Sequence, residues 1–391
     1  MLIDHVQDID SHEMIPTHLM EANFGDVGAK VAKMLESRGV DPTLDPNSPT
    51  DPGAQDVLPI GNEEVWTVKG VRAPGAIDMN RRLAVLDQMG IKSQLVFPTF
   101  GLAGFVIGSS PKEQFEFWFG SSEDDRVELG RAVINAANDW CIRQGAVDAE
   151  RIRVVAIVPS DEIGEMIRES GDLIDRGARA IWISASNPPG GRSPASPEMD
   201  EFWAHAAARN VPVLFHIGTE LTFLSDLWRA GTNIVTRHHS LEAPKINEYT
   251  MSIVHYAVEN YLTIMILGGV FERHPSLRIG VTECTASWIG PMARRLDMMV
   301  TALHGGEDLT LKPSDYLRRN VRVSPFAFEP VDEYLRAYPD LVDIYTYASD
   351  YPHIEGGRHS VDRFHEKIAP LGDDVVEKFF RTNGDLLLPS R

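Results

Sequence analysis

Short runs rich in β-branched residues recur along this chain, most of them apolar nearly throughout: Val6–Asp10, Ser93–Phe97 (SQLVF), Arg153–Val158 (RVVAIV), Ala178–Ile183 (ARAIWI), Val211–His216 (VPVLFH), Arg278–Glu283 (RIGVTE), Asn320–Ser324 (NVRVS) and Ile344–Ser349 (IYTYAS). Runs that are apolar nearly throughout read as parallel strands covered on both faces, whereas half-buried hairpins would alternate. Helical patterns lie between them, at Asn80–Met89, Asp124–Gln144, Ser160–Arg176, Pro197–Arg209, Ile246–Arg273, Ser287–Leu303, Pro330–Tyr338, Val361–Ile368 and Asp373–Arg381. In Ser160-Asp161-Glu162-Ile163-Gly164-Glu165 a Ser or Asp cap precedes acidic first-turn residues, and Gly177 supplies a stop. Strand then helix, eight times over, predicts a closed (β/α)8 TIM barrel, because parallel strands need crossover connections and eight of them can seal a sheet. An open doubly wound sheet is the competing fold.

Three segments exceed a minimal barrel: about 13–79, rich in Pro, Gly and Asp and read as an irregular insertion, about 99–123, and about 217–246. All three fall on strand-to-helix connections, which in a barrel share the C-terminal face where active sites are built. The expectation is one domain over residues 1–391 with long insertions covering a deep mouth.

Charge narrows the function classes. Thirty-seven basic against 57 acidic residues leave −20, spread along the chain, which disfavours nucleic acid and anionic lipid surfaces as partners. Two cysteines, Cys141 and Cys284, allow neither a disulfide framework nor a four-cysteine zinc site, so a cytoplasmic compartment is expected. The N-terminal residues lack a basic region followed by an apolar stretch, and no run is long enough to span a membrane. Neither a Gly-rich dinucleotide or phosphate loop nor a Gly-x-Ser-x-Gly elbow follows a strand, which sets aside nicotinamide, ATP and serine-hydrolase chemistry.

What remains is positional. Residues with metal-ligand chemistry stand at the ends of predicted strands: Asp10 and His12 at the first, His216 at the fifth, Glu283 at the sixth and Asp350 at the eighth. In extended backbone i and i+2 share a face, so Asp10 and His12 can aim at one ion while Ser11 points away. Taken singly, each has an ordinary reading, His216 as packing and Asp350 as a cap or turn before Pro352; together they converge on one rim. Two imidazoles with two carboxylates suit one divalent metal ion, Zn first, with Mn or Fe as alternatives. Around it, His353, Arg237, His238 and His255 are candidate substrate-binding residues, Arg237 because its fork can grip a carboxylate. Glu283 is read as an acid/base, a ligand, or a carboxylate held by Arg294 or Arg295. His274 reads as a structural helix-end residue, Cys284 as packed, and the aromatics of QFEFWFG (Phe115, Phe117, Trp118, Phe119) as lid or core.

The run Ile9-Asp10-Ser11-His12-Glu13-Met14-Ile15-Pro16, the block Gly269-Val270-Phe271-Glu272-Arg273-His274-Pro275-Ser276-Leu277-Arg278, and Ala348-Ser349-Asp350-Tyr351-Pro352-His353 resemble the amidohydrolase-related family that includes aminocarboxymuconate-semialdehyde and γ-resorcylate decarboxylases. The resemblance implies a barrel with one divalent metal, held by Asp10 and His12, His216 and Asp350, and a homodimer. Two departures stand out. Asp-x-His replaces the family's frequent His-x-His, and Glu283 occupies the place where a histidine usually activates water or moves a proton.

The leading expectation is a metal-dependent hydrolase that cleaves a C–N or C–C bond of a small organic, aromatic or cyclic substrate with metal-activated water, Asp350 or Glu283 shuttling the proton. The alternative on the same site is non-oxidative decarboxylation (a carboxy-lyase) of a small aromatic or unsaturated acid. A catalytically inactive ligand-binding barrel is the third reading.

Overall fold

The structure, a computed structural model, describes residues 3–37, 48–109, 112, 115–116, 125–218, 223–228, 231–232, 248–303, 306 and 308–389. Seven parallel strands pair in chain order: β1 (Val6–Asp8), β2 (Ile91–Val96), β3 (Ile152–Ile157), β4 (Ala180–Trp182), β5 (Val213–His216), β6 (Ile279–Thr282) and β7 (Val321–Val323). Every residue of β1, β3, β4, β5, β6 and β7 is buried, as strands enclosed by helices outside and by one another inside must be.

The eighth predicted strand, Ile344–Ser349, needs correction. It is an extended segment tied to both sheet edges by isolated bridges only, Val323 to Tyr345 and Ser11 to Tyr351. Thr346 N donates to Val323 O (3.1 Å), Ile9 N to Tyr347 O (3.3 Å) and Asp350 N to Asp10 O (3.0 Å), so the segment bridges β7 and β1 and completes the (β/α)8 barrel. A regular ladder fails because its amides go elsewhere: Tyr347 N donates to Phe379 O (3.0 Å) and Ser349 N to Asp8 Oδ1 (2.8 Å).

The segment after β1 is not irregular throughout. It holds a helix, Thr17–Ser37, in two pieces that meet at Gly25, whose φ of 67° and ψ of −152° suit a residue without Cβ. Met20, Phe24, Val31 and Leu35 bury one stripe, and Phe24 stacks on Phe100 at 3.8 Å. Phe100 belongs to a second unexpected helix, Thr99–Ser109, inside the insertion that follows β2. The pattern Ile246–Arg273 likewise resolves into Glu248–Ile253, Tyr256–Leu267 and Val270–Arg273, broken at Gly269 (φ 72°). Asp78 caps Met79–Met89 by accepting from Asn80 N, and Gly90 ends it in the left-handed region. Helix Ile163–Arg176 starts later than expected, with Glu162 at its cap position and no side-chain cap. Among the described residues no helix is long and apolar enough to cross a membrane.

Candidate metal centre

Asp10 and His12 leave the end of β1 two residues apart and reach the same point. His12 Nε2 lies 3.4 Å from Asp10 Oδ1, 3.5 Å from Glu283 Oε1, 3.7 Å from Asp350 Oδ1 and 3.2 Å from His216 Nε2. His216 Nε2 is in turn 3.7 Å from Asp10 Oδ1 and 3.6 Å from Glu283 Oε2. Ligand atoms of Asp10, His12, His216 and Glu283 all lie within 4.8 Å of one another, and a second such group links His12 and Glu283 to Asp350 and His353. All six residues are buried.

Two observations fit this donor set to a cation. First, the imidazoles are oriented by their other nitrogens: His216 Nδ1 lies 2.9 Å from Ile217 O and His12 Nδ1 3.2 Å from Thr99 Oγ1. With the protons on Nδ1, both Nε2 lone pairs face each other, an arrangement that a shared positive ion stabilises. Second, Asp10 Oδ1 and Oδ2, Glu283 Oε1 and Asp350 Oδ2 are buried with no hydrogen-bond partner, and buried carboxylate oxygens are costly unless paired or coordinating. Oxygen and imidazole donors together suit Mn, Fe or Zn better than Mg or Ca.

The electrostatics follow from crowding. Burial opposes charging of His216, yet Glu283 and Asp10 outweigh it and lift its pKa to about 9. Burial alone would raise Glu283, but His216, His12 and His353 hold it well below the usual carboxylate range. Asp350 moves the other way, pushed well above its ordinary value by burial and by the charge of Glu283, although His353 pulls it down. His353, likewise opposed by burial, is held well above its usual value by Asp350, whose Oδ1 accepts from its Nδ1 at 2.8 Å. Glu283 and Asp350 have φ of 53° and 48°, a region non-glycine residues seldom adopt. Such strain persists only where surrounding structure over-determines it, and here it turns two strand-end carboxylates toward the cluster.

Asp10, His12 and His216 stand together with Glu283, and Asp350 meets them through the second group, beside His12, Glu283 and His353. The expected partners of Glu283 are corrected: Arg294 pairs with Asp340 and Arg295 with Glu259, while Glu283 faces histidines. His353 belongs to the cluster through Asp350. His255 does not; its Nε2 is 3.5 Å from Glu259 and its ring stacks on Trp288 at 5.8 Å. Arg237 and His238 lie outside the described residues, as do Phe117, Trp118 and Phe119. Phe115 and Cys284 are buried, and His274 sits 3.1 Å from Asp200, which agrees with its structural reading.

Sequence reasoning missed the layer beneath the cluster. Asp8 Oδ2 accepts from Gln94 Nε2 and Ser349 Oγ, both at 2.6 Å, and Oδ1 from Ser349 N at 2.8 Å, which pins the eighth segment beside Asp350. Fully buried Arg82 donates to His12 O (2.6 Å), Gly75 O (2.7 Å) and Gln94 Oε1 (3.1 Å), fixing the backbone of a ligand. The signal was there: Asp8 and Gln94 are polar residues within predicted strands, where a buried polar side chain needs a partner.

A small cavity of about 10 Å³ opens among Asp10, Glu283 and Asp350, walled by Phe326, Ala327 and Ala348. A far larger one, about 930 Å³, lies at the other end of the barrel, lined by Lys92, Arg151, Arg153 and Arg278 with the acids Asp87, Glu150 and Asp385, and among the described residues it holds no ligand cluster.

The family model described as Amidohydrolase matches residues 120–385. Among solved structures, an amidohydrolase from Mycobacterium avium subsp. paratuberculosis K-10 is similar over 99% of this chain and 100% of its own, with TM-score 0.66 and 21% identity. A 2,6-dihydroxybenzoate decarboxylase from Rhizobium matches over 99% of both chains, with TM-score 0.62 and 16% identity. A dihydroxybenzoic acid decarboxylase from Polaromonas sp. JS666, solved with bound manganese and the inhibitor 2-nitroresorcinol, covers 99% of this chain and 97% of its own, with TM-score 0.58 and 15% identity. No curated protein matches.

Proposed function

The chain belongs to the amidohydrolase family, and on that premise we propose that it is a metal-dependent decarboxylase that removes a carboxyl group, without oxidation, from a small aromatic or unsaturated acid. The observation that carries this reading is the identity and state of Glu283. It occupies the place where the family usually carries a histidine that activates water or moves a proton, and three imidazoles hold it well below the usual carboxylate range, so it is a weak base for drawing a proton from water. Fold relatives over nearly the whole chain include decarboxylases of dihydroxybenzoates, one with manganese, which supports the same choice.

Asp10, His12 and His216, with Glu283 or Asp350, would hold the ion. When bound, such an ion acts as a Lewis acid toward the oxygen groups of the substrate. Asp350 delivers a proton to the ring carbon that loses carbon dioxide, so the electron pair left by the broken C–C bond ends in a C–H bond. His353 Nδ1, 2.8 Å from Asp350, returns that proton to the carboxylate. Phe326, Ala327 and Ala348 form an apolar wall that keeps water from the leaving group.

The test is product analysis of manganese-loaded protein given 2,6-dihydroxybenzoate and other ortho-hydroxy aromatic acids in D2O and in 18O-labelled water. Carbon dioxide release with one deuteron on the ring and no 18O in the organic product is expected. Incorporation of 18O would overturn the proposal in favour of hydrolysis.

A further inference from the structure

Glu329 stands in the loop after β7, only 5% exposed, and takes no part in the chemistry described so far. Its carboxylate reaches two loops at once. Oε1 accepts from Phe326 N at 2.8 Å, in its own loop, and Oε2 accepts from Ala286 N at 2.9 Å, in the loop after β6. The hydroxyl of Tyr334 donates to Oε2 at 3.2 Å. All three donors are uncharged, and a carboxylate is costly to bury on such contacts. An uncharged side chain could fill the same space at lower cost, but it could not accept from both backbone amides.

Both loops border the metal centre. Ala286 closes the turn that begins at Glu283, where Glu283 and Thr285 have φ of 53° and 54°. Two left-handed residues so close together persist only where outside contacts hold them. Trp288 Nε1 supplies one set, donating to Cys284 O (3.1 Å) and Thr285 O (2.9 Å), and Glu329 supplies another at Ala286 N. At its other oxygen Glu329 holds Phe326, which walls the small cavity that Asp10, Glu283 and Asp350 line. Lys367 Nζ backs the same loop by donating to Ala327 O (2.9 Å) and Glu329 O (2.6 Å). Donor groups already fixed in place bind an ion more tightly than groups that must be ordered by it.

We propose that Glu329 is a positioning residue: by accepting from Ala286 N and Phe326 N together, it fixes Glu283 against the histidines and holds the Phe326 wall at a set separation from it. The first half concerns the metal centre alone. The second rests on the decarboxylase reading, in which that wall meets the ring of an aromatic acid.

Equilibrium dialysis of manganese against wild type, Glu329→Ala, Glu329→Gln and Tyr334→Phe, with melting temperatures of the metal-stripped proteins, separates positioning from plain stability. Glu329→Ala should weaken manganese binding by about 10–100-fold, the usual effect of removing a group that orients a ligand. Glu329→Gln keeps the length but offers one acceptor oxygen, so it can hold one amide and not both, and its loss should fall between wild type and alanine. Tyr334→Phe removes a bond to the same carboxylate and leaves both backbone contacts, so it should lower the melting temperature and keep wild-type manganese affinity. In manganese-saturated Glu329→Gln, KM for the acid should rise by about tenfold and kcat fall by less, since Asp350 and His353 are untouched. Wild-type manganese affinity in Glu329→Gln, or an equal loss in Tyr334→Phe, would overturn the proposal, and the glutamine variant decides it even if the alanine variant does not fold. A fall confined to kcat would overturn its second half. If wild type releases no carbon dioxide from any of these acids, the decarboxylase reading fails while the manganese comparison still decides the role of Glu329.

Discussion

Asp8→Ala tests whether the layer under the metal centre holds it in place. The carboxylate accepts from Ser349 N, Ser349 Oγ, Gln94 Nε2 and, at 3.3 Å, Asp10 N. Alanine leaves Ser349 N, Gln94 Nε2 and Asp10 N as buried donors without acceptors, while Ser349 Oγ can turn to Asp10 O, already 3.3 Å away. Three orphaned donors at roughly 1–3 kcal/mol each put the loss at about 6 kcal/mol when Asp8 is protonated. The pH dependence has a definite sign. Burial raises the Asp8 pKa from 3.8 to about 7, so between those values the folded state keeps a proton that the unfolded chain has released. That stabilisation is fully present below the lower value and lost as pH rises through about 7. At about 1.4 kcal/mol per pH unit, wild type sheds about 2 kcal/mol between about pH 5.5 and about pH 8.5 on account of this group, and the variant does not. The destabilisation by Asp8→Ala should therefore be about 2 kcal/mol smaller at the higher pH. Urea denaturation of metal-stripped wild type and variant at both pH values measures it, and Glu13 and the other titrating groups cancel in the difference. Equal destabilisation at both values, or a variant as stable as wild type at the lower one, would refute the reasoning. Because Asp8 also anchors Ser349 beside Asp350, manganese affinity should fall by about 10–100-fold.

Removing a ligand should act more directly: Asp10→Ala and His216→Ala should each lower bound manganese by at least about 100-fold after equilibrium dialysis, read by elemental analysis, and full stoichiometry in either would exclude it from the ligand set. Manganese at about a hundred times its Kd should stabilise the native protein by about 2.7 kcal/mol, and a calorimetric scan in which neither the metal nor a chelator moves the melting temperature would contradict a site of this kind. Phe97 is fully buried and its ring lies 4.6 Å from His216, 5.8 Å from His12 and 5.6 Å from Trp182, so Phe97→Ala should cost about 3–5 kcal/mol in urea denaturation together with metal affinity; a loss below about 1 kcal/mol would show that the imidazoles are held by other contacts.

The runs that are apolar along their length, such as Arg153–Val158 and Val211–His216, were enough to read a parallel sheet, since only strands covered on both faces can dispense with polar positions. The i, i+2 spacing of Asp10 and His12 and the strand-end positions of His216 and Asp350 were also legible, because side-chain direction in extended backbone is a local property. Other features depended on contacts far apart in the chain. Helix Thr17–Ser37 forms where its apolar stripe finds Phe100, and the eighth segment lies extended without a ladder because Phe379 and Asp8 take its amides. Whether Glu283 met an arginine or three histidines was decided by a left-handed turn after β6 that the surrounding packing imposes. Periodicity and side-chain direction are written into neighbouring residues, whereas burial, charge pairing and the convergence of carboxylates on one point arise only when distant segments exclude water together.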